Sequence, residues 1–255
     1  MDVSKEFLDK WRSCQGCSLG EQRVHRIVYD KAKRRITPSP VLALGYARGV
    51  MFVGDPVGAT EESLNLPLSN PKYDLIRVML REERIPYHYT HALLCRSCVA
   101  SKDEAGRPYL RDGLPLWKDG APPKDAMDLC KQRLHEEIYL MDPLLIVALG
   151  KLAFRALTGE HVSENDRGKI FTVEVQGKST VPVLNAKGVW GRKVRGVMVR
   201  PVAPRMVKYP VYLTGSLDKV VTYSASQDPD REPLVFVKDL KRIAAMWRLY
   251  KEVVK

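Results

Sequence analysis

Three short strand-like segments, each followed by a stretch with helical periodicity, restrict the folds open to this chain of 255 residues. The strand-like segments are 49–54, 87–95 and 144–149, and the helical ones are 71–85, 125–140 and 151–157. Brief apolar runs that end at glycine or turn residues are typical of buried strands. Strands that alternate with helices form a parallel sheet with helices on both faces. We therefore predict a three-layer α/β/α sandwich around a central, mainly parallel sheet of four to five strands.

The remaining segments complete a single predicted domain that spans residues 1–255. Further strands are predicted at 170–175, 181–184 and 196–202, and further helices at 7–11 and 238–254. Segment 99–124 is rich in glycine, proline and charge, and we expect it to be an exposed insertion. Ligands of parallel sheets bind beyond the carboxyl ends of the strands, so chemistry is expected in the turns after Val53, Leu94 and Leu149.

The formal net charge of +12 indicates an anionic partner, and nucleic acid is the common one. The basic residues are clustered rather than evenly spread. No Asp or Glu occurs from Val175 to Leu217, and Asp30 is the only acidic residue between Arg23 and Arg35. Such clustering favours a phosphate-binding face over a lysine-rich surface that merely keeps a protein soluble.

The sequence carries no signal for export or for a membrane. No apolar run approaches the roughly 20 residues that a membrane-spanning helix needs. The amino-terminal segment MDVSKEFLDKWRSC is charged and amphipathic, unlike a signal peptide. We expect a cytoplasmic monomer that does not bind membranes.

Five cysteines in a chain of this kind favour a metal or a cluster, because structural disulfides are rare in the cytosol. They are Cys14, Cys17, Cys95, Cys98 and Cys130. They are compatible with three interpretations: unrelated small core residues, a zinc site formed by the first four, or an iron–sulfur cluster. Spacing alone leaves zinc and iron–sulfur open.

Four segments carry short motifs in a fixed order along the chain. They are Cys14–Leu19 with Arg23, Gly54–Gly58 with Glu61, Thr90–Arg96, and Cys130 with Leu149-Gly150 and Ala153. Taken in this order, they resemble the iron–sulfur (family four) uracil-DNA glycosylases over about residues 10–220. That family opens with C-x-x-C, a leucine and an arginine, follows a strand with a Gly-Glu-Ala-Pro-Gly loop and an acidic residue, and later carries Thr-Asn before Cys-Arg. Its fourth motif is a helix near a cysteine, followed by a strand that ends in Leu-Gly.

The resemblance implies a structural 4Fe-4S cluster, with zinc as the alternative, held by Cys14, Cys17, Cys95 and Cys130. Cys98 is then the cysteine left over, although the long Cys95-to-Cys130 spacing keeps Cys98 open as a ligand in place of Cys95. The chemistry of a glycosylase needs no electron transfer, so the cluster would tie the amino terminus to the Cys130 helix.

The chain departs from the family at functional positions. The asparagine that reads the uracil edge is replaced by His91, whose donor and acceptor atoms depend on its tautomer. The stacking ring of a Pro-Phe-Val-Gly segment is absent from Pro67–Asn70, where Leu68 stands instead. The family's late His-Pro-Ser motif has Tyr209–Leu213, or alternatively Arg200–Pro204, as its nearest counterpart. These departures suggest either a pocket rebuilt for another base, with Leu68 opening space for a bulkier modified pyrimidine, or a loss of catalysis.

A glycosylase has to extrude the target nucleotide, and this requirement assigns roles to the matched residues. Phosphate contacts are expected from Lys187, Arg192, Lys193 and Arg195, and Tyr212 or Leu213 would fill the vacated stack. Asp55 is the first candidate for the carboxylate that stabilises the sugar cation and orients water, and Glu61 is the second. His91 would contact the base or its leaving oxygen. The predicted base pocket comprises Gly54, Gly58, Leu68, Asn70 and Tyr209, and backbone N–H groups of the Gly54–Gly58 loop would hold the departing anion.

Each of these roles has a structural alternative: Asp55 as a loop or helix-cap residue, and His91 as a satisfied, half-buried histidine. The predicted function is a DNA glycosylase that hydrolyses the N-glycosidic bond of a non-standard or modified pyrimidine and leaves an abasic site. Repair by base excision, processing of modified DNA and defence against phage are compatible roles. The alternatives are a catalytically inactive DNA-binding protein on the same fold and a zinc-stabilised nucleic-acid module or nuclease. No closely spaced carboxylates suggest the two-metal site of a nuclease.

Overall fold

The computed structural model describes residues 5–111, 114–177, 192–194, 197–199, 205–216 and 232–253. The helices are α1 (Lys5–Arg12), α2 (Ser18–Val24), α3 (Ala59–Leu64), α4 (Asp74–Glu82), α5 (Lys124–Met141), α6 (Lys151–Thr158) and α7 (Glu232–Val253). The strands are β1 (Val28–Tyr29), β2 (Arg35–Ile36), β3 (Leu44–Gly45), β4 (Val50–Gly54), β5 (Tyr87–His91), β6 (Cys98–Ala100), β7 (Leu110–Arg111), β8 (Leu114–Pro115), β9 (Trp117–Asp119), β10 (Leu145–Leu149), β11 (Ile170–Gly177), β12 (Arg192–Val194), β13 (Val197–Val199) and β14 (Arg205–Thr214). None of the helices in the described ranges is long and apolar enough to cross a membrane.

A six-stranded sheet in the order β11-β14-β10-β4-β5-β3 forms the centre of the protein. The four inner strands run parallel, and β11 and β3 are antiparallel edge strands. This confirms the predicted α/β class with its mainly parallel sheet, although the sheet has more strands than the four to five expected. Because the inner strands are parallel, the ends of β4, β5, β10 and β14 meet at one edge.

Helices cover both faces of the sheet, because alternate residues of its strands present apolar side chains to opposite faces. Side chains of successive strand residues point to opposite faces. In β4, Val50 and Phe52 pack with α4 and α7, whereas Met51 and Val53 pack with α5 and α6. The three predicted layers are therefore two helical layers around a sheet that is buried on both sides.

Most predicted elements are present with small shifts of their ends. The predicted helix at 71–85 consists of a 3₁₀ turn at Pro71–Tyr73 followed by α4, and the carboxyl-terminal helix begins at Glu232 rather than 238. The strand predicted at 87–95 ends at His91, so Cys95 lies in the following segment. The predicted strand at 181–184 lies outside the described residues, and of 196–202 only β13 is described.

Strand β14 is an inner strand of the sheet that the sequence analysis missed. Tyr209–Leu213 was matched to the family's late His-Pro-Ser motif, but these residues lie inside β14, between β11 and β10. Proline argues against a central strand because it lacks an N–H donor. Pro210 is accommodated because the parallel pairing with β10 begins only at the next residue, Val211.

Segment 99–124 lies outside the sheet, as expected of an insertion, but it contains strands. Strand β6 pairs with β9, and β7 pairs with β8. A separate two-stranded hairpin, β1–β2, precedes the sheet within the basic run Arg23 to Arg35. Buried Arg26 joins the two, because its guanidinium bonds Glu62 and the Cys98 sulfur and faces the Trp117 ring.

Candidate functional site

An open cleft of about 680 Å³ lies at the carboxyl ends of the parallel strands. Its walls come from the loop after β4, the segment after β5, the start of α6 and the end of β14. Of the residues that the sequence analysis selected, the lining includes Asp55, Gly58, Asn70 and Leu213. The cleft therefore occupies the edge of the sheet at which chemistry was expected.

Asp55 directly follows β4, and its carboxylate belongs to the cleft wall. Its Oδ2 accepts a hydrogen bond of 2.9 Å from the Ser216 hydroxyl, and its main-chain oxygen lies 2.8 Å from Nδ1 of His91. The alternative that Asp55 caps the next helix is wrong for α3, whose N-cap is Gly58. Asp55 is thus a carboxylate fixed in a cleft by a residue 161 positions away.

His91 ends β5 and lies behind the loop after β4, fully buried. Burial lowers the pKa of His91 to about 4, and nearby Lys72 and Arg133 also disfavour its charged form. A neutral ring whose Nδ1 faces the Asp55 carbonyl must carry its proton there, since the carbonyl oxygen can only accept. Nε2 is then an acceptor, and it has no hydrogen-bond partner within the described residues.

Glu61 lies in α3 behind the same loop and is completely buried. Neither of its carboxylate oxygens has a hydrogen-bond partner among the described residues, which is rare for a buried acid. A Cβ on Gly58 would lie 2.7 Å from Glu61 Oε2, and one on Gly54 would lie 2.1 Å from the Tyr89 hydroxyl. Both glycines therefore allow the loop to cover these side chains closely.

Basic side chains stand on two sides of the cleft. Lys72 and Arg167 both line the cleft. The main-chain amide of Lys72 donates to the side chain of Asn70. The Nε of Arg167 donates to buried Asp239 at 2.9 Å. Lys151 pairs with Glu164 at 2.9 Å across the cleft mouth. These cations give the cleft groups that suit the phosphates of a nucleotide.

Four site predictions are corrected by the positions of the side chains. Tyr212 and Leu213 lie in β14 with 2% and 1% of their surface exposed, so neither can act from there as a wedge in DNA. The Tyr212 hydroxyl donates to Asp239, and Leu213 packs in the core even though it touches the cleft floor. Leu68 is buried against α4 and α7, so it opens no space in the cleft. Tyr209 lies earlier in β14 and donates to Asp142, away from the carboxyl ends of the strands.

The predicted DNA contacts are only partly described. Lys187 and Arg195 lie outside the described residues, and Arg192 and Lys193 belong to β12, which pairs with β13 in a short hairpin. Their contact with DNA stays a prediction.

The five cysteines divide into a group of four and a single residue. Cys17, Cys95 and Cys130 pack together in one buried cluster, and Cys14 lies near enough to contribute to the raised pKa of Cys95 and of Cys130. Burial, aided by these neighbours, raises the pKa of Cys95 to about 12. Cys98 lies apart, with its sulfur 2.8 Å from Nη1 of Arg26. The four predicted ligands therefore share one region, and Cys98 does not.

The spacing of the four thiols bears on the kind of metal centre that they could hold. Across the described part of the chain, no three His, Cys, Asp or Glu side chains are grouped tightly enough for a single ion. The ligands of one zinc ion must all lie about 2.3 Å from it, whereas the thiolates of a cluster bind different irons and stay farther apart. Both the kind of metal centre, a cluster or zinc, and its ligand set stay predictions.

A buried ionic network connects the cysteine helix to the cleft. On α5, Arg133 donates to Glu137 and to the main-chain oxygen of His91, and Glu137 lies 2.6 Å from Nε2 of His88. Burial alone would raise the pKa of Glu137, but Arg133 and His88 lower it below its usual value. The network fixes β5, and therefore His91, against the helix that carries Cys130.

Sequence reasoning missed Ser216, Lys72 and Arg167. Ser216 follows Thr214 and Gly215 at the end of β14, and the strand itself had not been predicted. Lys72 lies two residues after the matched Asn70, so its position in the cleft was accessible from the sequence. No local sequence pattern predicts that Arg167 belongs to the site, because its partner Asp239 is 72 residues away.

Comparison with protein families identifies a match. A family model described as the uracil DNA glycosylase superfamily matches residues 45–202, which is more than half of the chain. The matched span contains β4, β5 and β10, and hence most of the cleft wall. No curated protein matches the chain significantly.

Proposed function

The chain belongs to the uracil DNA glycosylase superfamily, and from this membership we propose that it excises a non-standard or modified pyrimidine from DNA. The nucleotide is extruded into the cleft, and water attacks the sugar as the N-glycosidic bond breaks, leaving an abasic site. The observation that carries the proposal is the Asp55 carboxylate, which faces the cleft and is bonded by Ser216 at 2.9 Å.

Asp55 is proposed to act on the sugar. Cleavage of the glycosidic bond develops positive charge on the sugar, and a fixed carboxylate stabilises that charge and orients the attacking water. The hydrogen bond from Ser216 satisfies Oδ2 and holds the group against rotation. A residue held in one geometry loses less entropy on reaching the transition state than a mobile one.

His91 is proposed to read the base rather than to protonate it. Its pKa of about 4 keeps the imidazole neutral near pH 7, and its Nε2 is an acceptor. This nitrogen can accept a hydrogen bond from a ring N–H or an exocyclic amine of the base, but it cannot donate one to a carbonyl oxygen. In the iron–sulfur glycosylases that the chain resembles, the asparagine that reads uracil can both donate and accept a hydrogen bond. Its replacement by His91 therefore supports recognition of a different base. His91 is covered by the loop after β4, and the proposal requires this loop to shift when a base enters.

The volume of the cleft is sufficient for a nucleotide. About 680 Å³ lies within the roughly 300–1,000 Å³ of typical small-molecule sites. Lys72 and Arg167 offer positive charge for flanking phosphates, and the acid-free stretch from Val175 to Leu217 supplies further cations. Arg192 and Lys193, in the β12–β13 hairpin, remain proposed phosphate contacts.

A 4Fe-4S cluster held by Cys14, Cys17, Cys95 and Cys130 is part of the proposal. The grouping of these four thiols, with Cys98 elsewhere, supports it. When bound, the cluster would supply a structural link rather than a reactive centre. It would join the segment before α2 to α5, whose Arg133 in turn bonds the backbone of His91.

The test is base release from DNA duplexes that carry uracil, a hydroxymethylated pyrimidine or a glycosylated pyrimidine. We expect release from at least one of them by the parent protein, and a loss of about 10²- to 10⁴-fold in the Asp55→Asn variant. Asp119→Asn is the matched control, since Asp119 also lines the cleft but pairs with Arg96. Full activity of Asp55→Asn would remove the role assigned to Asp55.

One observation favours a catalytically inactive DNA-binding protein as the second candidate. Thr214, the last residue of β14, and the following Gly215 and Ser216 line the cleft, and none of these three is a histidine. Such a protein would bind DNA and release none of the bases in the panel, so the same experiment separates the two candidates.

A further inference from the structure

A second groove, of about 570 Å³, lies beside the cleft and is formed outside the central sheet. One side is the β1–β2 hairpin, with Ile27, Tyr29 and Lys33, and the other contains Arg96, Leu116 and Trp117. The family match begins at residue 45, so the hairpin precedes the matched region. One side of the groove therefore lies outside the matched region, and the other side lies within it.

A thin wall separates the groove from the cleft. The Gly120 amide donates to the Ser97 carbonyl at 3.0 Å, and an Arg96 Nη2 donates to the Trp117 carbonyl at 3.3 Å. Ser97 and Gly120 line the cleft, whereas Arg96 and Trp117 line the groove. One extended strand of nucleic acid could therefore reach both spaces across this wall.

The walls of the groove combine exposed apolar surface with aromatic rings. Ile27, Tyr29 and Leu116 are 42%, 37% and 41% exposed, values that are high for residues of these types. Trp117 is half-buried, and the Arg26 guanidinium lies 5.6 Å from the centre of its ring. Arg26 is itself buried and paired with Glu62, so Trp117 has a rigid cation behind it. Fixed aromatic rings of this kind are platforms on which bases stack.

The charge around the groove is positive. Lys33 and Arg96 belong to its lining, and no acidic side chain lines it within the described residues. Two acids on the elements that form the groove are paired with arginines, Asp30 with Arg34 at 2.7 Å and Asp119 with Arg96 itself at 2.7 Å. A protein partner would favour an apolar centre with few charges, whereas stacking rings beside basic side chains suit a polyanion that carries bases.

We propose that this groove binds an unpaired nucleotide of the same DNA strand that enters the cleft. The base stacks against Trp117 and Tyr29, and Lys33 and Arg96 contact the adjacent phosphates. The proposal rests on the proposed function in one respect, namely that DNA occupies the cleft. It gives the protein a preference for single-stranded DNA, or for duplexes with unpaired bases, that the cleft alone would not give.

The test uses the full chain and fluorescein-labelled DNA in two forms, a single-stranded oligonucleotide and a blunt duplex. The groove variant combines Tyr29→Ser with Lys33→Glu, both at exposed positions where the fold should tolerate them. The matched control combines Tyr46→Ser with Lys241→Glu, which makes the same chemical change at exposed positions elsewhere. Fluorescence anisotropy at several salt concentrations gives the affinities.

The groove variant should bind the single strand about 10- to 100-fold more weakly than the parent, with little change for the blunt duplex. The slope of its log K against log salt should become shallower by an amount that corresponds to about one phosphate contact or more. A single strand that contains 5-iodouracil should cross-link to Tyr29 or Trp117 in the parent. If the parent binds both DNAs and the groove variant binds them equally well, the groove proposal is overturned and a protein is the remaining occupant. If the parent binds neither DNA, the proposed function fails as well.

Discussion

The Ser216 hydroxyl donates a hydrogen bond of 2.9 Å to Asp55 Oδ2 and so connects the ends of two strands that are not neighbours. Asp55 follows β4, Ser216 follows β14, and β10 lies between these strands in the sheet. Gly150, at the end of β10, makes the contact possible. Its φ is +102°, and a Cβ there would lie 3.1 Å from the Ser216 Cβ. Three parallel strands thus contribute to the position of a single carboxylate.

Removing the Ser216 hydroxyl should therefore lower activity without removing it. A hydrogen bond to a charged group contributes about 1.5–3 kcal/mol, so Ser216→Ala should reduce kcat for base release by roughly tenfold or more. Ser216→Thr retains the hydroxyl and should restore most of kcat, whereas a purely structural role would give no such rescue. Equal kcat values for the parent and Ser216→Ala would show that Asp55 does not depend on this contact.

The burial of His91 should make stability depend on pH. The pKa of His91 is about 4 in the folded protein, against an ordinary value of 6.5 that applies to the unfolded chain. A lowered histidine pKa contributes stability that is fully present above pH 6.5 and is lost as pH falls towards 4. The difference corresponds to roughly 3 kcal/mol of unfolding free energy. The groups around the ring are the Asp55 carbonyl, Lys72, Arg133 and Glu137.

Urea unfolding of the parent and of His91→Gln between pH 4 and pH 8 measures this contribution. The parent should lose stability more steeply than the variant as pH falls below 6.5, and exposed His25→Gln should follow the parent. If the free energies of unfolding of the parent and of His91→Gln fall in parallel with pH, burial is not what keeps the His91 ring neutral.

His91→Asn should shift the choice of base towards uracil. The neutral imidazole presents only an acceptor at Nε2, whereas an amide presents a donor and an acceptor together. The ratio of kcat/KM for uracil to that for the preferred modified base should rise on the order of tenfold to a hundredfold. An unchanged ratio of the two kcat/KM values would show that His91 takes no part in base recognition.

The sequence was sufficient for β4 and β10 because burial on both faces of the sheet leaves a strong local pattern. Val50 to Gly54 and Leu145 to Leu149 are fully buried and are recognised as strands without further information. Strand β14 was missed because Pro210 breaks that pattern, and pairing with β10 is not visible in local sequence. The wrong assignment of Tyr212 and Leu213 to the vacated stack followed directly from this omission.

The candidate site was only partly predictable for a different reason. Asp55 and His91 follow strands, so their position at the edge of the sheet follows from chain order. Ser216 and Arg167 act through partners far along the chain, and no local rule connects them to Asp55 and Asp239. The separation of Cys98 from the other cysteines likewise depends on Arg26, which the spacing of cysteines does not reveal.

Glu137 should be among the most sensitive positions for stability. It is completely buried and is bonded by Arg133, His88 and Thr90. Glu137→Leu would leave the Arg133 charge buried without its carboxylate, which costs about 3–5 kcal/mol. Chemical denaturation should show that loss, while Glu136→Leu, one position away and half-exposed, should cost much less. Similar losses for the two variants would contradict the importance of the buried pair.

The cysteines allow a direct comparison between a predicted ligand and a buried cysteine that is not one. Cys130→Ser removes a buried thiol from the group of four, whereas Cys98→Ser removes one that contacts Arg26 instead. If the four thiols hold a cluster, the parent purified without oxygen should be brown and contain iron and acid-labile sulfide. Cys130→Ser should lose most of that iron, and Cys98→Ser should keep it, because only the first supplies a ligand. Iron and sulfide analysis reports this independently of any activity. Loss of iron from Cys98→Ser but not from Cys130→Ser would reverse the assignment, and a colourless parent that contains zinc would replace the cluster with a zinc site.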